Sequence, residues 1–176
     1  MDDSLKYIYY ITPKCGTRSL FKFFSYKPQG SRNIHFNHDN YFTWTFVRNP
    51  FSRVVSAYQN KIYEPYRFGL EEFRHLSSFK DFIFAINKID CDHCDRHIRS
   101  LHTLFPKNID FTGKIENFKN DFGYICDRIK IPMQKLPHEN KTQHKHYTEY
   151  YDDETREIIA KKYSKDIKLF GYEFGK

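Results

Sequence analysis

Apolar positions run along the chain in two rhythms, and the places where one gives way to the other mark the elements. Lys6-Tyr7-Ile8-Tyr9-Tyr10-Ile11 is a short run of aromatic and β-branched residues that stops at Thr12-Pro13, as a buried strand emptying into a loop would. Leu20, Phe23 and Phe24 then recur at helical spacing. A second strand is expected over residues 41–47, and it too runs into a loop, Arg48-Asn49-Pro50. Asn49 is a good N-cap and Pro50 a good first helical residue, so a helix should follow and carry Val54, Val55 and Tyr58 to the core. Ser78 can cap another helix, whose Phe79, Phe82, Ile83 and Ile86 lie on one face and read as plain core packing.

Residues 109–113 predict a third strand and residues 117–129 the helix after it. From 130 to 147 the chain turns polar around Pro132 and Pro137 and reads as a long surface loop. Residues 152–170 predict one helix: acids in the first turn suit the dipole, Ile158, Ile159, Tyr163, Ile167 and Phe170 make a stripe, and Gly171 stops it. Strands alternating with helices predict an α/β fold, a P-loop-like central parallel sheet flanked by helices, in a single domain over residues 1–176. Ligands of such sheets bind beyond the carboxyl ends of the strands.

A length of 176 residues suits one core, and 18 Phe and 14 Tyr with only 7 Gly and 7 Pro exclude a low-complexity chain. A net charge of +7 points to an anionic partner without choosing among nucleotide, nucleic acid and acidic glycan. Met1-Asp2-Asp3-Ser4 has neither signal-peptide nor transit-peptide character, and no apolar run is long enough to cross a bilayer. The expectation is a soluble cytoplasmic protein without a membrane partner, whose Cys15, Cys91, Cys94 and Cys126 are free thiols.

Thr12-Pro13-Lys14-Cys15-Gly16-Thr17-Arg18-Ser19 lies between the first strand and the first helix, where free backbone N–H groups favour an anion. Gly16 permits close backbone approach, Thr17 and Ser19 bring hydroxyl donors, and Lys14 brings a mobile positive charge. This is not a Walker A loop, because Lys14 precedes the glycine, which disfavours an NTPase.

The second turn, Thr45-Phe46-Val47-Arg48-Asn49-Pro50-Phe51-Ser52-Arg53-Val54-Val55-Ser56-Ala57-Tyr58, changes the picture. Together with Pro13-Lys14-Cys15-Gly16-Thr17 it resembles the paired signatures of sulfotransferases dependent on 3'-phosphoadenosine-5'-phosphosulfate (PAPS), in the form found in the carbohydrate branch. Residues 111–117, 136–140, 150–155 and 166–172 look like the same branch, so the resemblance spans nearly the whole chain. Arg18 stands where Thr or Ser is common, and the stretch between the first helix and Tyr41 is short for the branch.

The resemblance implies that Lys14, Cys15, Gly16, Thr17, Arg18 and Ser19 hold the 5'-phosphosulfate of PAPS, and that Arg48 and Ser56 hold its 3'-phosphate. An Arg fork suits a phosphate, and a hydroxyl adds a donor without charge. It implies in-line transfer of the sulfuryl group to a hydroxyl of an acceptor, a carbohydrate by resemblance, with 3'-phosphoadenosine-5'-phosphate (PAP) as product. Lys14 would stabilise the departing oxygen, and no metal is required where protein donors bear the charge. The base for the acceptor hydroxyl is expected at His35 or His38, with His35 preferred because it alternates with Ile34 and Phe36. Lys141 and Lys145 in the basic loop are candidates for a phosphate contact.

Cys91-Asp92-His93-Cys94-Asp95-Arg96-His97 has zinc-ligand spacing, but no second Cys/His pair follows it. The alternative is that Asp95 and His97 belong to a family segment lining the acceptor side. Two other classes compete: a nucleotide kinase, which would need magnesium, and a nucleic-acid-binding module, against which the positive residues are scattered rather than gathered. Oligomeric state is not legible.

Overall fold

The structure, a computed structural model, describes residues 1–24, 40–63, 73, 75–133 and 145–176, with backbone alone at 60–63. The described residues form two compact units, one of residues 1–47 and 107–142, the other of residues 48–106 and 143–176.

The first unit holds a three-stranded parallel sheet in the order β1 (Tyr7–Tyr9), β2 (Phe42–Val47), β3 (Phe111–Lys114). Each strand matches a predicted run, β1 being shorter because Tyr10 onward turns into the loop. The central strand is buried on both faces from Thr43 to Val47, as expected of a parallel sheet. Trp44 and Phe46 share one face with the side chains of α1 (Thr17–Phe23) and α4 (Phe118–Arg128). Trp44 stacks on Tyr9 at 4.3 Å, Phe46 meets Phe118 at 4.8 Å, and Phe23 meets Phe122 edge-on at 4.8 Å. Gly113 pairs with Phe46 in register, and a Cβ there would stand 2.6 Å from the Phe46 ring, so the aromatic lies across a site only glycine vacates.

The second unit is helical: α2 (Pro50–Tyr63), α3 (Phe79–Asn87), α5 (Asp153–Lys162) and α6 (Ser164–Phe170). The predicted caps form. Asn49 Oδ1 accepts from Phe51 N at 3.1 Å, and Ser78 Oγ from Asp81 N at 3.0 Å. Phe79, Phe82, Ile83 and Ile86 are buried with Val54, Val55, Tyr58, Ile159 and Tyr163 in one core.

The helix expected over 152–170 is two helices broken at Tyr163, whose φ of −103° and ψ of 24° leave the helical region. No Gly or Pro marks the break, because tertiary contacts make it. The buried Tyr163 hydroxyl donates to Ile98 O at 2.5 Å, and the buried Asp166 carboxylate accepts from Leu101 N at 2.6 Å and His102 N at 3.0 Å. Gly171 ends α6 in the left-handed conformation with φ 62°, as its position predicted. No helix among the described residues is long and apolar enough to cross a membrane.

Candidate active site

The turn after β1 is tied down by hydroxyls before it reaches α1. Thr45 Oγ1, on β2, donates to Tyr10 O at 2.7 Å, and the buried Thr12 hydroxyl donates to Phe46 O at 2.5 Å. Thr17, at the start of α1, then donates from Oγ1 to Thr12 O at 2.8 Å, closing the turn on itself. Between these anchors Lys14 has φ 68° and Gly16 φ 74°, with Cys15 buried between them and its Sγ 3.6 Å from Pro13 O. Left-handed residues alternating with right-handed ones build the backbone concavities that collect N–H groups for an anion. Gly16 carries this conformation without the penalty of a Cβ, which would also press on Ile115 Cδ1 at 2.9 Å. Lys14 holds a positive φ that side chains adopt only when the surrounding bonds impose it. Arg18 and Ser19 follow in the first turn of α1, both half-buried.

The second turn begins the other unit. Arg48 is half-buried and its Nε donates to Ser52 Oγ at 2.9 Å, while Ser52 Oγ donates to Asn49 O at 3.1 Å. The guanidinium is therefore oriented by a hydroxyl four residues on. Ser56 follows after four more, on the same helical face. The hydroxyls of Ser19 and Ser56 have no hydrogen-bond partner among the described residues.

Arg53 faces the other way. It is 1 % exposed, and its guanidinium donates to Arg99 O at 2.7 Å and Arg96 O at 3.0 Å. With the Tyr163 bond to Ile98 O, it pins the turn that carries Asp95 and His97. Those two are a pair: Asp95 Oδ1 accepts from His97 N at 2.8 Å and lies 2.7 Å from His97 Nδ1. Cys91 and Cys94 are half-buried free thiols, and burial raises the Cys94 pKa. Cys91, Cys94 and His97 do not converge on one point. The cation-sized group among the described residues is Asp90, Cys91 and Asp92, and His97 is committed to Asp95.

Lys145 is exposed at the edge of the described chain, while His35, His38 and Lys141 lie outside the described residues. Ser52, Arg53 and Asp166 are bracing residues that the sequence did not single out, and Tyr163 stood there only as a position of the apolar stripe. The four-residue interval from Arg48 was a signal for Ser52; Arg53 offered none, since a basic residue in an apolar helix reads as exposed until its carbonyl partners are seen.

The first strand of the parallel sheet thus leads into a hydroxyl-braced, positive-φ turn, and the second is followed by an arginine oriented by Ser52. The model of the sulfotransferase family matches residues 2–173, and the chain belongs to that family. It is 27% identical over 162 residues to carbohydrate sulfotransferase 14 of Danio rerio, covering 76% of this chain and 44% of that protein. Against carbohydrate sulfotransferase 14 of Mus musculus it is 25% identical over 118 residues, covering 56% and 31%. The chain thus spans less than half the length of the curated relatives it matches. No solved structure matches it.

Proposed function

We propose that this chain moves a sulfuryl group from PAPS to a hydroxyl of a carbohydrate acceptor by in-line displacement. The observation that carries the reading is the family match over residues 2–173, which takes in both turns. The braced turn of residues 12–19 suits the 5'-phosphosulfate: backbone N–H groups around Cys15, Gly16 and Thr17, the Ser19 hydroxyl and Arg18 meet its oxygens, while the Thr17 hydroxyl braces the turn. Lys14 stabilises the oxygen that leaves sulfur with growing negative charge. Arg48, oriented by Ser52, and Ser56 take the 3'-phosphate. Lys145, with Lys141, adds positive charge to the nucleotide, and Asp95 and His97 serve the acceptor. The carbohydrate class is that of the relatives, carbohydrate sulfotransferase 14 of two vertebrates.

PAP and AMP differ in the 3'-phosphate, so melting curves with each test the reading directly. PAP should raise the melting temperature well beyond AMP, and Arg48→Ala should remove the difference. Equal shifts from PAP and AMP in the unaltered protein would overturn it. Labelled PAPS offered with neutral and uronic-acid-containing oligosaccharides then identifies the acceptor. Turnover that persists in chelator separates this chemistry from a magnesium-dependent kinase.

A further inference from the structure

Residues 172–176 run past the start of α2, inside the second unit. Asn49, 1 % exposed, donates from Nδ2 to Glu173 O at 2.8 Å and to Lys176 O at 3.2 Å. Gly175 N donates to the Tyr147 hydroxyl at 2.7 Å. Between these bonds the half-buried Phe174 ring meets Phe51 at 5.0 Å, Tyr151 at 5.5 Å and Tyr147 at 5.8 Å, each edge-on. The Tyr151 hydroxyl donates to Phe51 O at 2.9 Å, so the same aromatic group also grips the backbone of α2.

One residue carries both this strap and the orientation of Arg48. Asn49 Oδ1 caps α2 by accepting from Phe51 N, and Asn49 O accepts from Ser52 Oγ at 3.1 Å. Ser52 has a single hydroxyl proton; spent on Asn49 O, it leaves the oxygen to accept from Arg48 Nε at 2.9 Å. A chain of hydrogen bonds thus runs from the backbone of residues 173–176 through Asn49 and Ser52 to the guanidinium. Capping explains only half of the Asn49 side chain, since Ser, Thr or Asp supplies the same acceptor. Its amide nitrogen goes to the strap, and held at both ends the carboxamide cannot turn.

We propose that Asn49 and Phe174 are positioning residues for the 3'-phosphate, and that the strap of residues 172–176 sets the turn from which Arg48 reaches it. The inference rests on the sulfotransfer reading above, in which Arg48 takes that phosphate. A guanidinium fork grips a phosphate only in a narrow geometry, so a turn released from its strap loses affinity for the ligand that carries the 3'-phosphate. AMP, which lacks that group, does not register the change.

The test is titration calorimetry of the full chain with PAP and with AMP, well below the melting temperature of each variant. Asn49→Ser keeps a cap acceptor and deletes the amide donor; PAP affinity should fall roughly tenfold while AMP affinity changes less than about twofold. Phe174→Ala should act in the same direction, and Phe174→Tyr, which keeps the ring, should recover most of the PAP affinity. Should Phe174→Ala fail to fold, Asn49→Ser decides on the same ratio. Variants that melt lower but keep the preference for PAP over AMP of the unaltered protein, while Arg48→Ala loses it, would show that the strap serves the fold alone and overturn the proposal. An unaltered protein that binds PAP no better than AMP would instead overturn the sulfotransfer reading, and this assignment with it.

Discussion

The hydroxyl of Thr17 donates to the carbonyl oxygen of Thr12 at 2.8 Å, so the turn proposed to take the phosphosulfate is closed on itself before any ligand arrives. Preorganisation of this kind spares a ligand the cost of ordering the loop.

Thr17→Val keeps the shape of the side chain and deletes the bond. Losing one hydrogen bond of this kind costs about 1–1.5 kcal/mol, so PAP affinity should fall roughly tenfold by titration calorimetry. Thr17→Ser keeps the donor and should stay close to the unaltered protein. An unweakened Thr17→Val would show that the bond does not set the turn.

Gly113→Ala should destabilise the first unit, because the new methyl would stand 2.6 Å from Cε1 and 2.9 Å from Cδ1 of a fully buried Phe46. Overpacking of this kind costs about 1–3 kcal/mol, read as a lower urea midpoint. Combining it with Phe46→Leu should cost less than the sum of the two single changes, since the clash is between those two side chains.

Arg53→Lys is not conservative here. One guanidinium reaches Arg96 O and Arg99 O together, and an ammonium cannot reproduce that fork. Arg53→Leu leaves both carbonyls without their donor and should cost about 2–4 kcal/mol. The backbone amides of residues 95–99 should exchange faster in both variants, while β2 keeps its protection.

Cys126 is wholly buried in α4, and burial pushes its thiol up to about 11 from an ordinary 9.0. The folded value is the higher one, so the unfolded chain ionises first. Stability is unaffected below pH 9.0, declines as pH rises from there and levels off above about 11. Cys126→Ala should remove this component of the alkaline decline, measured as urea midpoints across that interval. At neutral pH a thiol reagent should label Cys126 only at the rate of unfolding.

Much of the fold is visible in single residues. The runs before Thr12 and Arg48 announced β1 and β2, and Asn49, Ser78 and Gly171 closed helices where local chemistry said they would, since caps and strand alternation are properties of a few neighbouring residues. Tyr163 is the counter-example: helical spacing continues through it, yet the chain breaks there because its hydroxyl and Asp166 are satisfied by backbone atoms some 65 residues away. At the candidate site, the motif residues Lys14, Gly16, Arg48 and Ser56 were legible as residue types in order. Their bracing by Thr12, Thr45 and Ser52, and the pairing of His97 with Asp95, were not.

By itself, then, the chain's order of residues determined the alternation of strand and helix, the positions of both turns and membership of the sulfotransferase family. Tertiary structure decided which basic and hydroxyl side chains hold the protein: Arg53 for two carbonyls, His102 for Asp166 and His97 for Asp95, while Ser56 has no hydrogen-bond partner among the described residues. The physical reason is that a side chain's chemistry is local but its satisfaction is not. A hydrogen-bond donor is structural or functional according to what the fold brings within 3 Å of it, and those partners come from distant parts of the sequence.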